Sequence, residues 1–525
     1  MVRLSGIALL LTVLFAPTLV RAEQKPDLWF YYPVNLLPPK NVDKLEPIWK
    51  RAAAAGYDHV LLADSKFSRI SQLPREYLRN CDRVKQLAKE LHIQIVPAEF
   101  PIGYSNDLLY TDPNLAEGLP VKGTLFVVRQ GQARCEADPG VALKKPSFHD
   151  AAVKIESNVA TVHDHTGNAR FVYKLTVPQF RCYHVSVQIK TEDYTGHPEI
   201  HPLGGKRTLN EQSIHVARTQ DWKQYDIVFD SLDNTEVNLY FGSWGGGKGT
   251  LQWKDWKIEE VGLVNVVRRD GAPCTVTSED GKPYVEGKDY DRIEDPHMGK
   301  TPYAGEYTSW HEPPVIKTKL PDGTRLRVSW YYPPIIYDGQ VAACISEPKT
   351  KALLADQSKR MRELWGADGY MMSYDEFRCF NWDESCQSQH QTPGQLLAQS
   401  VRECTKLVSP QQAYTWNDMF DPYHNAVEGP YYLVNGPWTG SWEGLDKGVI
   451  VMNWNHGKRD KSLKFFADRG NRQILCGFYD NNLSQWTEWL VSGKKVTGVV
   501  GYMYTTWRND YSKLEEFAKM SRQGE

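Results

Sequence analysis

Short apolar segments alternate with amphipathic segments of helical length near the start of this chain. Residues 28–32 (LWFYY), 58–63 (DHVLLA) and 93–98 (IQIVPA) have the length and composition of buried strands. Residues 42–56 and 77–91, which lie between them, have helical spacing of apolar positions. Apolar strands that alternate with helices are typical of a parallel sheet covered on both faces, so the sequence predicts an α/β fold.

The same alternation resumes in the second half of the chain. The further candidate strands are residues 325–332, 369–374, 413–417, 448–453, 473–478 and 499–504. Together with the first three they make nine candidates for the eight positions of a (β/α)8 TIM-type barrel, so one must lie outside it. An open doubly wound sheet is the alternative, but no glycine-rich phosphate-binding fingerprint follows the first strand.

The middle of the chain has a different periodicity. Tyr183, Val185, Val187 and Ile189 alternate strictly with polar neighbours, which predicts antiparallel strands with one buried face. We therefore predict an all-β sandwich of jelly-roll type that interrupts the barrel. The predicted boundaries are 23–110 and 315–525 for the two parts of the barrel, 145–265 for the sandwich and 266–314 for an irregular connector.

The N-terminal residues 1–22 have the pattern of a secretory signal peptide. Arg3 is followed by an uncharged apolar run, and small residues precede the expected cleavage point after Ala22. We therefore expect a secreted or periplasmic protein with no membrane span after signal removal. Secretion permits disulfides among the nine cysteines, and Cys379 and Cys386 could bridge a short loop.

The charge and composition of the chain restrict the classes of ligand that it could bind. The net charge is −2 and the basic residues are dispersed, which argues against nucleic acid. No His-x-His ends a strand and no cysteine pair has zinc-ribbon spacing, so we predict neither a metal nor a cofactor. The chain is rich in aromatic residues, with 17 Trp and 28 Tyr. Aromatic faces pack against the C–H faces of sugar rings, and we expect an oligosaccharide or polysaccharide ligand.

Acids, amides and tryptophans recur where the predicted strands end, which is where the functional residues of a barrel cluster. We predict Asp375 and Glu376 as catalytic carboxylates of glycosidic bond cleavage. Because two close carboxylates raise one pKa, we expect Glu376 to stay protonated and to donate a proton. The predicted substrate-binding residues are Glu99, Trp416, Asp418, Trp454, Tyr479, Asp480 and Trp507.

This series of strand ends resembles glycoside hydrolase family 20, the β-N-acetylhexosaminidases. The resemblance covers the α/β part and implies that Glu376 is the general acid/base. It also implies that Asp375 orients a 2-acetamido group of the substrate, which acts as nucleophile, and that Tyr479 hydrogen-bonds its oxygen. The chain departs from the family at Tyr104, where a histidine is usual, and at the end of the first strand, where an arginine is usual. Residues 222–262 resemble carbohydrate-binding modules.

Three alternatives stay open at this point. The first is a barrel glycosidase that uses an enzyme nucleophile, either Asp480 or Glu443. The second is a non-catalytic carbohydrate-binding protein that has the barrel but no turnover. The third is a secreted scaffold without a role in sugar chemistry, because a fold does not specify a function.

Overall fold

The computed structural model describes residues 25–480 and 483–523, with the side chain of Tyr479 left out of the description. The predicted signal peptide, residues 1–22, lies outside the described residues. Among the helices that are described, none is both long enough and apolar enough to cross a membrane.

Eight parallel strands form a closed barrel, so the prediction of a barrel rather than an open sheet is confirmed. In chain order they are β1 (Asp27–Pro33), β2 (His59–Ala63), β3 (Gln94–Glu99), β4 (Gly369–Met372), β5 (Gln412–Trp416), β6 (Ile450–Asn453), β7 (Gln473–Tyr479) and β8 (Val499–Thr505). Chain order is also spatial order, and β8 closes the barrel by pairing with β1.

Helices pack around the barrel. They are α1 (Pro39–Ala54), α2 (Arg75–Leu91), α3 (Pro348–Trp365), α4 (Pro393–Val408), α5 (Arg459–Arg469), α6 (Ser484–Gly493) and α7 (Leu514–Gln523), with a single turn at Glu384–Gln387. The connection from β5 to β6 is fully described and carries short 3₁₀ helices, Asp418–Phe420 and Ser441–Gly444, in place of an α-helix. Further 3₁₀ helices are Ser65–Gln72, Pro113–Leu115 and His456–Lys458.

The side chains of β1 point alternately outward and inward, and the apolar residues of the barrel therefore fall into two separate cores. Phe30 points outward and belongs to the same core as Trp49 of α1. Trp29 and Tyr31 point inward and belong to a separate cluster inside the barrel, with Trp416. Successive side chains of a strand face opposite sides, so each barrel strand contributes to both cores.

Two antiparallel sheets of five strands each lie in the segment between β3 and β4, and they share one core. One sheet has the order Gln220–Asp230, Cys182–Glu192, Thr250–Glu260, Val159–Val162, Val153–Glu156, and the other Arg207–Thr208, Pro198–Gly204, Glu236–Ser243, Ala169–Thr176, Phe148–His149. Phe171 and Trp253, from opposite sheets, have ring centroids 6.2 Å apart. The predicted antiparallel strands are confirmed, and the jelly-roll topology stays a prediction.

A third antiparallel sheet was not foreseen. Its order is Thr275–Ser278, Arg325–Tyr332, Leu119–Arg129, Gln132–Cys135, Ile316–Lys317, and a small two-stranded sheet pairs Cys379–Phe380 with Leu433–Val434. Arg325–Tyr332 is therefore the surplus strand, and the second part of the barrel begins after it rather than at residue 315. Its side chains alternate between buried and more exposed, whereas all four residues of β4 are buried. Such alternation is typical of an antiparallel sheet with one dry face.

Candidate active site

A cavity of about 450 Å³ opens at the carboxyl ends of the barrel strands. Asp375 and Glu376, just after β4, lie on its rim. Aromatic side chains from other strand ends form much of its lining, namely Tyr31, Trp416, Trp454 and Trp507. The barrel thus brings together residues that are up to 476 positions apart in the chain, Tyr31 and Trp507, because parallel strands all end at the same rim.

The aromatic side chains form a continuous wall. The ring centroids of Tyr31 and Trp507 are 5.0 Å apart, and those of Trp416 and Trp507 are 6.0 Å apart. Trp416 is buried inside the barrel, whereas Trp507 remains 39% exposed at the rim. Flat apolar faces with polar edges suit a ligand that has both C–H faces and hydroxyl groups.

The backbone around Asp375 takes an unusual course. Tyr374 and Glu376 on either side of it have left-handed φ values of 53° and 44°. Non-glycine residues rarely adopt this conformation, and it is held in place where the surrounding structure enforces it. Gly103, in the loop after β3, packs so closely that a Cβ atom there would lie 2.5 Å from the carbonyl oxygen of Asp375. This loop therefore fixes the position of the carboxylate pair.

Glu376 has two strong hydrogen-bond donors. Its Oε2 atom lies 2.5 Å from the hydroxyl of Tyr104 and 2.5 Å from Nη2 of Arg378. Charge-assisted contacts of this length stabilise the ionised carboxylate. Glu376 therefore lies against a cation and a hydroxyl donor, and its role as the proton donor stays a prediction.

Arg378 is itself held rigidly below the rim. Its Nη1 atom donates to Gln340 Oε1 at 2.6 Å and to the Tyr104 hydroxyl at 3.0 Å. Its guanidinium carbon lies 4.6 Å from the ring centroid of Tyr337 and 5.2 Å from that of Tyr432. A buried guanidinium among aromatic rings has strengthened electrostatic contacts, because water screens them poorly there.

Asp375 and Asp418 have raised pKa values. Burial, and next the Glu376 carboxylate, raise the pKa of Asp375 to about 7. Burial, and next Asp375, raise the pKa of Asp418 to about 8. A carboxylic acid with a pKa near neutrality can both hold and release a proton at physiological pH. Of these two residues, Asp375 lines the cavity, so its carboxyl group is the one placed to exchange a proton with a bound ligand.

Asp418 lies behind the cavity surface and supports it. Its Oδ2 atom accepts from the backbone N–H of Glu376 at 2.9 Å and from Asn425 Nδ2 at 3.0 Å, and Oδ1 accepts from Trp454 Nε1 at 3.4 Å. His424 packs edge-on against Trp454 with ring centroids 4.3 Å apart. Burial lowers the pKa of His424 to about 4, so it is neutral at physiological pH.

The structure brings most of the predicted site residues together. Asp375, Glu376, Trp416, Trp454 and Trp507 line one cavity, and Asp418 contacts two of them from behind. The side chain of Tyr479 lies outside the described part of the chain.

Glu99 and Asp480 have other surroundings. Glu99 points out of the barrel toward α3, where Ser358 Oγ lies 3.5 Å from its Oε1 atom. Asp480 accepts hydrogen bonds from the Thr506 hydroxyl and from the backbone N–H groups of Trp507 and Arg508. Both oxygens of Asp480 are thus engaged in holding the segment that carries Trp507.

The sequence did not lead us to predict three residues of the site. Tyr31 was read only as part of a strand, although its inward position follows from alternation along β1. Tyr104 was noted only as a replacement for histidine. Arg378 supplies a guanidinium to the site, whereas the family resemblance implies an arginine at the end of the first strand. The feature of the sequence that could have indicated Arg378 is its position two residues after Glu376.

Among the described residues, groups of three or more potential metal ligands occur at two places outside this cavity, one of them at Asp27, Asp58 and His59 near the starts of β1 and β2. The polar groups that line the cavity include the carboxyl groups of Asp375 and Glu376 and the hydroxyl of Tyr104, and Arg378 contacts the last two from behind.

Comparison with known proteins gives matches in structure only. No family model matches the chain, and no curated protein matches its sequence. A rhamnosidase from Novosphingobium is 10% identical, with a TM-score of 0.36, over 95% of this chain and 58% of its own length. A family 20 exo-β-N-acetylglucosaminidase from Vibrio harveyi is 7% identical, with a TM-score of 0.28, over 70% of this chain and 94% of its own. A carbohydrate-binding module from a Cellvibrio mixtus lichenase is 12% identical, with a TM-score of 0.18, over 23% and 97%.

Proposed function

We propose that this chain is a glycoside hydrolase that binds a pyranoside in the cavity at the barrel mouth. The observation that carries the proposal is the pairing of two carboxyl groups with different surroundings on one cavity wall. Burial raises the pKa of Asp375 to about 7, whereas Glu376 contacts the guanidinium of Arg378 and the hydroxyl of Tyr104. Glycosidic cleavage needs one acid to protonate the leaving oxygen and one anion to stabilise or trap the oxocarbenium-like centre.

The two carboxyl groups divide this work as follows. Protonated Asp375 donates its proton to the glycosidic oxygen as the C–O bond breaks. Glu376 faces the positive charge that develops at the anomeric carbon. Water then adds its hydroxyl group to that carbon and returns a proton to the Asp375 carboxylate. This division reverses the one implied by the family resemblance, in which Glu376 is the acid/base.

A second candidate is substrate-assisted cleavage of a 2-acetamido sugar. The state of Asp480 favours it over a nucleophile at the end of β7, because both oxygens of Asp480 already bind the Trp507 segment. In this reaction Asp375 would orient the acetamido group as an ionised carboxylate, and Glu376 would act as the acid/base. The two candidates therefore assign opposite protonation states to Asp375.

The experiment uses aryl glycosides, with and without a 2-acetamido group, whose leaving groups differ in acidity. A nitrophenyl leaving group needs no proton, so Asp375→Asn should retain far more activity on it than on a methylphenyl glycoside. Glu376→Gln should lose activity on both, by about 10²–10⁴-fold. Glu443→Gln is the matched control, because Glu443 is exposed and paired with Arg469 away from the pair.

The outcomes separate the candidates. If Glu376→Gln is the variant that is rescued by the better leaving group, Glu376 is the acid and the substrate-assisted reaction replaces the first candidate. If the unmodified protein hydrolyses none of these glycosides but binds sugars by calorimetry, the protein is a carbohydrate-binding protein and the enzymatic proposal fails.

A further inference from the structure

A second cluster of chemically reactive side chains lies away from the cavity. Glu117, Cys344, Asp383 and Cys386 are all buried, and one potential ligand atom from each lies within 4.8 Å of the others. They come from three separate parts of the chain, since Asp383 is the N-cap of the short helical turn Glu384–Gln387 and Cys386 lies within that turn. All nine cysteines lie in the described part of the chain, and none of them forms a disulfide.

Three distances within this cluster match the edges of a tetrahedral metal site. The Sγ atoms of Cys344 and Cys386 are 3.7 Å apart. Cys344 Sγ lies 3.4 Å from Asp383 Oδ1, and Cys386 Sγ lies 3.6 Å from Glu117 Oε2. Around a tetrahedral Zn²⁺ with bonds of about 2.3 Å to sulfur and about 2.0 Å to oxygen, the edges are about 3.8 Å between sulfurs and about 3.5 Å between sulfur and oxygen.

The carboxylate oxygens that face away from this centre have their own donors. Glu117 Oε1 accepts from the backbone N–H of Trp382 at 3.0 Å, and Asp383 Oδ2 pairs with the guanidinium of Arg269. Hydrogen bonds of this kind, from groups that do not themselves bind the metal, orient metal ligands and are typical of metal sites in proteins. Two carboxylates buried beside two thiols also need more positive charge than one guanidinium supplies, because isolated buried charges are costly.

We infer that Glu117, Cys344, Asp383 and Cys386 bind one Zn²⁺ ion in a closed, structural site. Thiolate and carboxylate ligands in tetrahedral geometry suit zinc, and with four protein ligands there is no open position for catalysis. The ion joins the segment before Leu119–Arg129 and the segment before α3 to the loop that follows Asp375 and Glu376. It thereby anchors the far end of the catalytic loop.

A disulfide between Cys344 and Cys386 is the competing state of these thiols. It requires a sulfur separation of about 2.05 Å, whereas the two Sγ atoms are 3.7 Å apart. A disulfide would also leave Glu117 and Asp383 buried together without the second cation that a metal supplies. The two states differ in composition, so a direct measurement distinguishes them.

In the test, the full-length protein is exposed to Zn²⁺ and excess ion is removed by dialysis. The zinc that remains bound is then measured by elemental mass spectrometry. We expect one zinc per chain, and loss of that zinc in the Cys344→Ser/Cys386→Ser variant. Cys81→Ala is the matched control, because Cys81 is equally buried but lies in α2 outside the cluster. It should keep the full zinc content.

Two further measurements keep the inference testable if the double cysteine variant does not fold. Glu117→Gln keeps the acceptor for the Trp382 N–H but lowers zinc affinity, by at least tenfold. Co²⁺ bound to the unmodified protein should show the strong visible bands of a tetrahedral site with thiolate charge transfer. Unmodified protein that retains no zinc, or that contains a Cys344–Cys386 disulfide in peptide maps made without reductant, would overturn the inference. These readouts do not depend on glycosidase activity.

Discussion

Nη2 of Arg378 lies 2.5 Å from Oε2 of Glu376, in the same loop and two residues further along the chain. This ion pair lies at the cavity wall, next to Asp375 with its raised pKa. The loop thus carries two carboxyl groups and a guanidinium that pairs with one of them. The predictions below test this arrangement and its supports.

Arg378→Lys should lower kcat/KM by about 10²–10³-fold, because an ammonium group cannot contact Glu376, Tyr104 and Gln340 together. Steady-state kinetics on an aryl glycoside measures the loss. Arg402→Lys is the control, since Arg402 is exposed and its Nη1 atom contacts the carbonyl oxygen of Glu443 instead. Equal activity in both variants would mean that the charge on Arg378 has no role in turnover.

The pH dependence of kcat/KM follows from the pKa of Asp375, which is about 7. A general acid must carry its proton, so kcat/KM should fall as pH rises above about 7. In Asp375→Asn, the residual hydrolysis of a nitrophenyl glycoside should lack this descending limb. A profile that instead falls below pH 7 would indicate that ionised Asp375 is the active form, as substrate-assisted cleavage requires.

Gly103→Ala should lower activity by about 10²-fold with little loss of fold. The added Cβ would lie 2.5 Å from the carbonyl oxygen of Asp375, so the catalytic loop must move. Displacement of a catalytic group by about 1 Å costs about 10²-fold in rate. Gly140→Ala is the control, because a Cβ there meets nothing within 4 Å. Circular dichroism and kinetics on both variants separate a local shift from unfolding.

Trp507→Ala should weaken substrate binding more than catalysis. Loss of one aromatic wall is expected to cost about 1.4 kcal/mol, which corresponds to a tenfold rise in KM. Phe148→Ala removes an exposed aromatic residue from the edge of a sandwich sheet and should leave KM unchanged. Titration calorimetry with the product sugar provides a measure of binding that is independent of turnover.

Glu99→Gln should make stability less dependent on pH. Burial raises the folded-state pKa of Glu99 to about 8 from an ordinary value of 4.5. Between these values the folded state binds a proton that the unfolded state does not, so the free energy of unfolding falls as pH rises. Urea unfolding at pH 5 and pH 8 should show a smaller difference in the variant than in the wild type. The exposed Glu90→Gln should keep the wild-type difference.

Much of the barrel could be predicted because its signals are local. Eight of the nine candidate strands are barrel strands, since continuous apolar runs between amphipathic helices mark buried parallel strands. Arg325–Tyr332 was counted with them, but its alternating burial places it in an antiparallel sheet. Its partner Leu119–Arg129 was missed, and without a partner an alternating strand cannot be assigned to a sheet.

The site was predictable to the extent that strand ends share one rim. That rule located Asp375, Glu376 and three tryptophans around one cavity. It did not separate side chains that face the cavity from those that face outward, as Glu99 does. Nor did it predict the raised pKa of Asp375, because a pKa depends on burial and on charged neighbours in the folded loop.

Periodicity and composition act between residues that are close in the chain, so the order of strands, the change from α/β to all-β and the acidic pair after β4 could be recognised from the chain alone. The hydrogen bond from Tyr104 to Glu376, the aromatic wall and the meeting of Glu117 with Cys344, Asp383 and Cys386 arise only when distant segments pack together. Distances across such packing set electrostatics and ligand geometry, and no spacing in the sequence encodes them.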